Sequence, residues 1–178
     1  MKNNRIKLIV VVALMVACQF VLERVIAINT PIVKLSFGFI PLSITAILFG
    51  PVWAAVCGAL SDFIGAILMP FGAYMPWFTI TAALSGLVYG LMLKNAEKLD
   101  NKKMIIRCLI ASFVNAVVFD LVINTALLMI LYGNGLIALL PARLLKTAWI
   151  IAIQTVVMPL PYKQICTVVR RSGGRKRA

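Results

Sequence analysis

Four basic residues stand in or beside stretches that are otherwise apolar: Arg24, Lys34, Arg143 and Lys146. Arg clamps a carboxylate through two parallel hydrogen bonds and Lys adds a point charge, so such a group suits a carboxylate-bearing solute. Arg143 and Lys146 are three apart and share one helix face, with Gln154 near the same stripe. A charge at the centre of a membrane helix costs roughly 2.5–3.5 kcal/mol on insertion scales, so residues of this kind face a protein interior or a wet cavity. The plain alternative is snorkelling, because Arg24 and Arg143 fall near the ends of apolar runs and can reach phosphate headgroups.

Polar partners are few. Asp62 falls in the middle of an apolar run, and Asp120 and Asn124 lie four apart on one face. Each reads equally well as a ligand contact or as structure, with Asp120 neutralising Arg24 or Arg143 and Asn124 joining helices. Glu23 adjoins Arg24 but points elsewhere on a helix, and no role is assigned to it. Two Gly/Pro loops carry aromatic rings: Phe37 and Phe39 flank Gly38, while Phe71, Tyr74, Trp77 and Phe78 surround Pro70 and Pro76. Flat rings stack on a flat heterocycle. A belt of aromatics at a membrane interface is the competing explanation.

Other chemistries find little support. The chain has no His and only 5 acidic residues, and no nucleophile–base couple emerges, which argues against a membrane enzyme and assigns no catalytic residue. A metal carrier would want His or clustered acids or thiolates. Cys18, Cys57, Cys108 and Cys166 show no Cys-x-x-Cys spacing and read as small buried hydrophobes, so neither a metal nor a cofactor is expected.

The elements that must position these residues are membrane helices. Apolar residues make up 62% of the 178, well above the half expected of a soluble domain. Six apolar segments separate, at roughly 6–28, 39–49, 52–69, 77–93, 104–131 and 141–158. The expected fold is therefore an all-α integral membrane protein of six transmembrane helices in a single domain, closed by a basic tail at 172–178. Segment 39–49 is short against the roughly 20 residues a span needs, so it must tilt, or 32–38 must dip into the membrane. Gly50-Pro51 marks a tight hairpin between the second and third segments. The N-terminal run is too long for a signal peptide and lacks a clear cleavage site.

The net charge of +13 would suggest nucleic acid in a soluble protein. Here no soluble basic face exists, and the charge follows membrane topology instead. With a cytoplasmic N-terminus, fourteen of the 18 basic residues fall in cytoplasmic regions, while the outer loops 70–76 and 132–140 carry none. That bias places both termini in the cytoplasm. Arg24, Lys34, Arg143 and Lys146 then all map to the outer half.

With these pieces in order, the sequence resembles the folate-specific S components of energy-coupling factor (ECF) transporters over nearly its whole length. The carriers are Phe37-Gly38-Phe39-Ile40-Pro41, Phe49-Gly50-Pro51-Val52-Trp53, Asp62-Phe63-Ile64-Gly65, Pro76-Trp77-Phe78-Thr79 and Gly86-Leu87-Val88-Tyr89-Gly90. Most distinctive are Asn124-Thr125-Ala126-Leu127, Leu131-Tyr132-Gly133 and Leu139-Leu140-Pro141-Ala142-Arg143, followed by Lys146 and Gln154. Each motif is weak alone, and their order and spacing make the match specific.

The resemblance implies six helices in a prokaryotic plasma membrane, vitamin capture from outside, and no ATPase of the chain's own. Energy would come from one transmembrane scaffold subunit and two ABC-type ATPases. Docking on that scaffold would use the family's Ala-x-x-x-Ala pattern, matched by Ala13 and Ala17. The vitamin site would lie under the loops 30–38 and 70–76. Folate fits the residues: its two carboxylates suit Arg24, Arg143 and Lys146, and its pterin suits the aromatic loops with Phe37, Phe39, Tyr74 and Trp77, read by Asp62, Asn124 or Gln154. Another anionic vitamin such as pantothenate is the nearest competitor, while a cationic one such as thiamine would want acids in place of the Arg cluster.

Overall fold

A computed structural model describes residues 2–29, 34–70, 74–94, 101–132 and 140–158. Six helical rods run through them, as hydropathy predicts. The first, α1, is Lys2–Phe20 and continues into a π-helical turn, Val21–Val25, in which Ile26 N–H donates to the Val21 carbonyl at 3.0 Å. A two-residue antiparallel ribbon follows, β1 (Ile28–Asn29) against β2 (Lys34–Leu35), with Ile28 opposite Leu35. Hydropathy does not foretell this ribbon, because two residues are too few to show an alternating pattern.

Helix α2 is Phe39–Phe49 and α3 is Pro51–Leu68. Gly50 joins them at φ 84°, a left-handed conformation that glycine adopts without steric cost, and Pro51 then opens α3 at a position where its missing N–H is harmless. Helix α4 is Pro76–Leu93, again opened by proline. The fifth rod, α5, spans 101–132 in three parts: an α-helical Asn101–Val114, a π-helical Asn115–Ile123, and an α-helical Asn124–Tyr132. Helix α6 is Leu140–Val157. Residues 159–178, with Cys166 and the basic tail, lie outside the described residues.

Among the described residues, four stretches are long and apolar enough to cross a membrane: Ile6–Val25, Pro51–Leu68, Pro76–Leu93 and Lys102–Ile130. Helix α2, with 11 residues, rises about half the thickness of a hydrocarbon core. Large apolar side chains lie on the outside as well as in the core. Ile130, Leu145 and Val156 are 70–75% exposed, while Ser43, Thr45, Ser61 and Ser112 are buried. Lipid accepts large apolar side chains on the outer faces, so small and hydroxyl residues share the helix contacts. Cys57 and Cys108 are buried as anticipated, but Cys18 is exposed on α1. Its neighbours Val10 and Leu14 are exposed too, so it belongs to the lipid-facing side of that helix.

Helices α3 and α4 pack antiparallel at backbone distance. A Cβ on Gly86 would collide with the Ala54 carbonyl, one on Gly90 with Pro51, and one on Gly58 with the Ala82 carbonyl. The core runs from Val12 and Val16 on α1 through Leu42, Ala46, Ala54 and Tyr89 to Met104, Cys108 and Met158. Contacts between neighbouring helices gather the ends of α1, α3 and α5 and the starts of α2, α4 and α6 at one end of the bundle, and that end holds the candidate site.

Candidate ligand-binding site

Two polar clusters occupy this end. The first lies between α1, α3 and α4. Arg24, in the π turn of α1, places Nη2 3.7 Å from Asp62 Oδ1 and donates from Nη1 to the Met69 carbonyl at 2.9 Å. Met69 ends α3, where carbonyls have no helical partner, so the guanidinium caps that helix. It passes over Gly65, where a Cβ would sit 2.6 Å from Arg24 Nε. Asp62 also accepts from Thr79 Oγ1 at 2.9 Å, and Thr79 and Tyr74 share a hydroxyl contact of 3.3 Å.

Glu23 belongs to this cluster after all. Its Oε1 accepts from Gln19 Nε2 at 3.0 Å, and its Oε2 faces Ser61 Oγ at 3.5 Å. Gln19 in turn accepts from Cys57 Sγ at 3.3 Å. The carboxylate lies over Gly38, at the head of α2, where any side chain would strike it. Glu23 and Arg24 thus straddle α3 from either side, one reaching Ser61 and the other Asp62. The assignment of no role to Glu23 fails because it weighs its helix direction against Arg24 alone. Gln19, four residues before Glu23, is the spacing signal that would have found the pair.

The second cluster joins α5 to α6. Lys146 Nζ contacts both oxygens of Asp120, at 2.9 and 2.7 Å. Asp120 therefore neutralises Lys146, not Arg24 or Arg143 as anticipated. The antiparallel run of α5 and α6 sets Asp120 opposite Lys146, and Arg24 finds its acid on α3. Arg143 Nη1 donates to Thr125 Oγ1 at 2.9 Å. Arg143 Nε and Asn124 Oδ1 are buried with no hydrogen-bond partner. Further along α6, Gln154 accepts from the buried Tyr89 hydroxyl at 3.1 Å.

The aromatics divide. Phe39 is buried and lies 6.4 Å from the half-exposed Phe37 with rings tilted by 44°, while Tyr74 meets Phe63 edge-on at 6.1 Å. Trp77 is 60% exposed, a position that suits an interface belt better than a pocket. Phe71 lies outside the described residues, as does the side chain of Lys34. Among the described residues no three of His, Cys, Asp or Glu gather to hold a metal. Ala13 and Ala17 are both exposed on α1, beside Val10 and Leu14.

The arrangement brings two Arg, one Lys, two Asp, one Glu and an Asn to one end of a membrane bundle with aromatic rings among them, and Arg143, which has no carboxylate partner among the described residues, suits it to holding a flat polar anion. A family model described as the ECF-type riboflavin transporter S component matches residues 3–164. The folate transporter FolT of Clostridium novyi (strain NT) is 33% identical over 162 residues, 91% of each chain. A FolT from Leuconostoc mesenteroides is 37% identical over 82 residues, 46% of this chain and 44% of its own. The crystal structure of FolT bound with folic acid superposes with a TM-score of 0.75 at 31% identity, covering 83% of this chain and 87% of the other. Matched along nearly its whole length in sequence and in fold, the chain belongs to the S components of ECF-type transporters, in the company of the FolT proteins.

Proposed function

We propose that this chain captures folate at the loop-bearing end of the bundle and is the binding subunit of an ECF-type transporter. As an S component it is a multi-pass membrane transport protein and not an enzyme. The observation that carries the ligand is the likeness to FolT bound with folic acid, joined to the presence of Arg24 in one polar cluster and of Arg143 and Lys146 in the other at the same end of the bundle. Folate brings two carboxylates on a glutamate tail and a flat pterin. Riboflavin, named by the family model, has no carboxylate and would leave Arg143 without an anion. Phe37, Phe39 and Tyr74 supply rings for the pterin, and Asp62, Asn124 and Gln154 supply donors and acceptors for its edge.

Uptake then needs partners. The positive-inside bias supports both termini in the cytoplasm and the site outside, and the family supports a prokaryotic plasma membrane. Ala13 and Ala17 present a small-residue stripe to one scaffold subunit carrying two ABC-type ATPases. Replacing both alanines with Leu is expected to leave folate binding intact and abolish uptake in cells. Loss of binding as well would make the stripe structural.

The direct experiment is titration of folic acid into the purified chain in detergent, followed by quenching of Trp53, Trp77 and Trp149. Saturable binding without a partner subunit supports the capture role. A folded, monodisperse sample that binds riboflavin or pantothenate and ignores folic acid sinks the folate reading.

A further inference from the structure

The cations at the site do not stand on equal terms. Arg24, whose side chain is 8% exposed, already faces Asp62 and caps α3 through the Met69 carbonyl. Lys146, 11% exposed, is held by both oxygens of Asp120. Arg143 has only the neutral hydroxyl of Thr125. Among the described residues no carboxylate lies within ion-pair distance of it. It also occupies the first turn of α6, where the helix dipole adds positive charge of the same sign. A cation so placed in a low-dielectric bundle calls for an anion, and the described residues do not provide one.

Resting on the folate reading above, we infer that Asp62 and Asp120 are internal counter-ions to Arg24 and Lys146, while Glu23 is engaged with Gln19 and Ser61, so that Arg143 is the cation that receives a ligand carboxylate. Asp120 is then a specificity-determining residue that never needs to touch the ligand, because it keeps Lys146 from receiving the second carboxylate. One carboxylate of the glutamate tail enters the site, and the other stays towards the mouth, where solvent screens it. The substrate class follows: one buried carboxylate is required, and the second position tolerates neutral or extended groups.

The test compares folic acid with its two mono-amides, in which either the α- or the γ-carboxylate is neutral, by calorimetry on the whole chain in detergent. One amide is expected to lose about a hundredfold in affinity, as when one member of a buried charge pair is removed. The other is expected to stay within about threefold of folic acid, as for a screened pair. In Asp120→Asn, Lys146 is released, and the tolerated amide is expected to fall about tenfold behind folic acid. In Arg143→Gln, the gap between folic acid and the sensitive amide is expected to close.

Equal losses for both amides in the unaltered protein overturn the inference while leaving the folate reading intact, and this arm needs no variant to fold. A tolerated amide that still matches folic acid in a folded Asp120→Asn overturns the role of Asp120. Failure of folic acid itself to bind the unaltered chain removes the folate reading, and the inference with it.

Discussion

The bundle is held together differently on its two sides. Helices α3 and α4 meet backbone to backbone, with Gly58, Gly86 and Gly90 lying where any side chain would strike the other helix. Helices α5 and α6 meet through side chains, chiefly the Lys146–Asp120 pair and the Arg143–Thr125 hydrogen bond. Close backbone packing fixes position and leaves little to rearrange. Side-chain contacts can be exchanged for contacts to a ligand. The first side is a foundation and the second a receiving surface, and their energetics should separate accordingly.

The largest expected effect tests the foundation. Gly86→Leu should destabilise by about 3 kcal/mol or more, since overpacking against the Ala54 carbonyl leaves no room for relaxation. Ala148→Leu, on the exposed side of α6, should cost less than about 0.5 kcal/mol. Thermal unfolding in detergent measures both, and equal losses would dissolve the contrast. On the other side, Lys146→Met should cost about 2 kcal/mol by leaving Asp120 unpaired. Adding Asp120→Asn should restore most of that loss, and a double-mutant cycle reads the coupling. Purely additive losses would mean the pair is incidental.

A smaller effect probes the junction of α1 with the foundation. Glu23→Gln should cost about 1 kcal/mol, because one amide oxygen replaces a carboxylate that serves Gln19 and Ser61 together. The smallest belongs to Tyr89→Phe, at about 0.5–1 kcal/mol, which removes the one hydrogen bond the hydroxyl gives to Gln154. If that change proves as damaging as Gly86→Leu, the deep contact between α4 and α6 belongs to the foundation, and the dividing line must be redrawn.

What was legible in the sequence follows from what hydropathy and charge report. Apolar runs mark helices because the bilayer demands them, and Arg24, Asp62, Asp120, Arg143 and Lys146 stand out because charge inside such runs is costly. Their pairing was not legible. Which acid meets which base depends on helix phase, and the π-helical stretches at Val21–Val25 and Asn115–Ile123 alter phase without leaving a mark in composition. Thr79 and Thr125 were missed because threonine is an ordinary resident of membrane helices. They become informative only once Asp62 and Arg143 are seen to lean on them.

The π-helical middle of α5 carries a further consequence. A turn closed by an i→i+5 bond takes in about one residue more than an α turn, so it works as an insertion absorbed without breaking the rod. On the near side of it, Asn115 accepts from Ser85 Oγ at 2.6 Å and ties α5 to α4. On the far side, Thr125 accepts from Arg143 Nη1 at 2.9 Å. Deleting one residue within Asn115–Ile123 would rewind the rod and turn everything beyond it by about 100°, carrying Thr125 away from Arg143 while Asn115 kept its hold on α4. The two ends of one helix are in this sense separately heritable: the far end can be re-aimed at a new solute by a single-codon gain or loss while the near end keeps its seat.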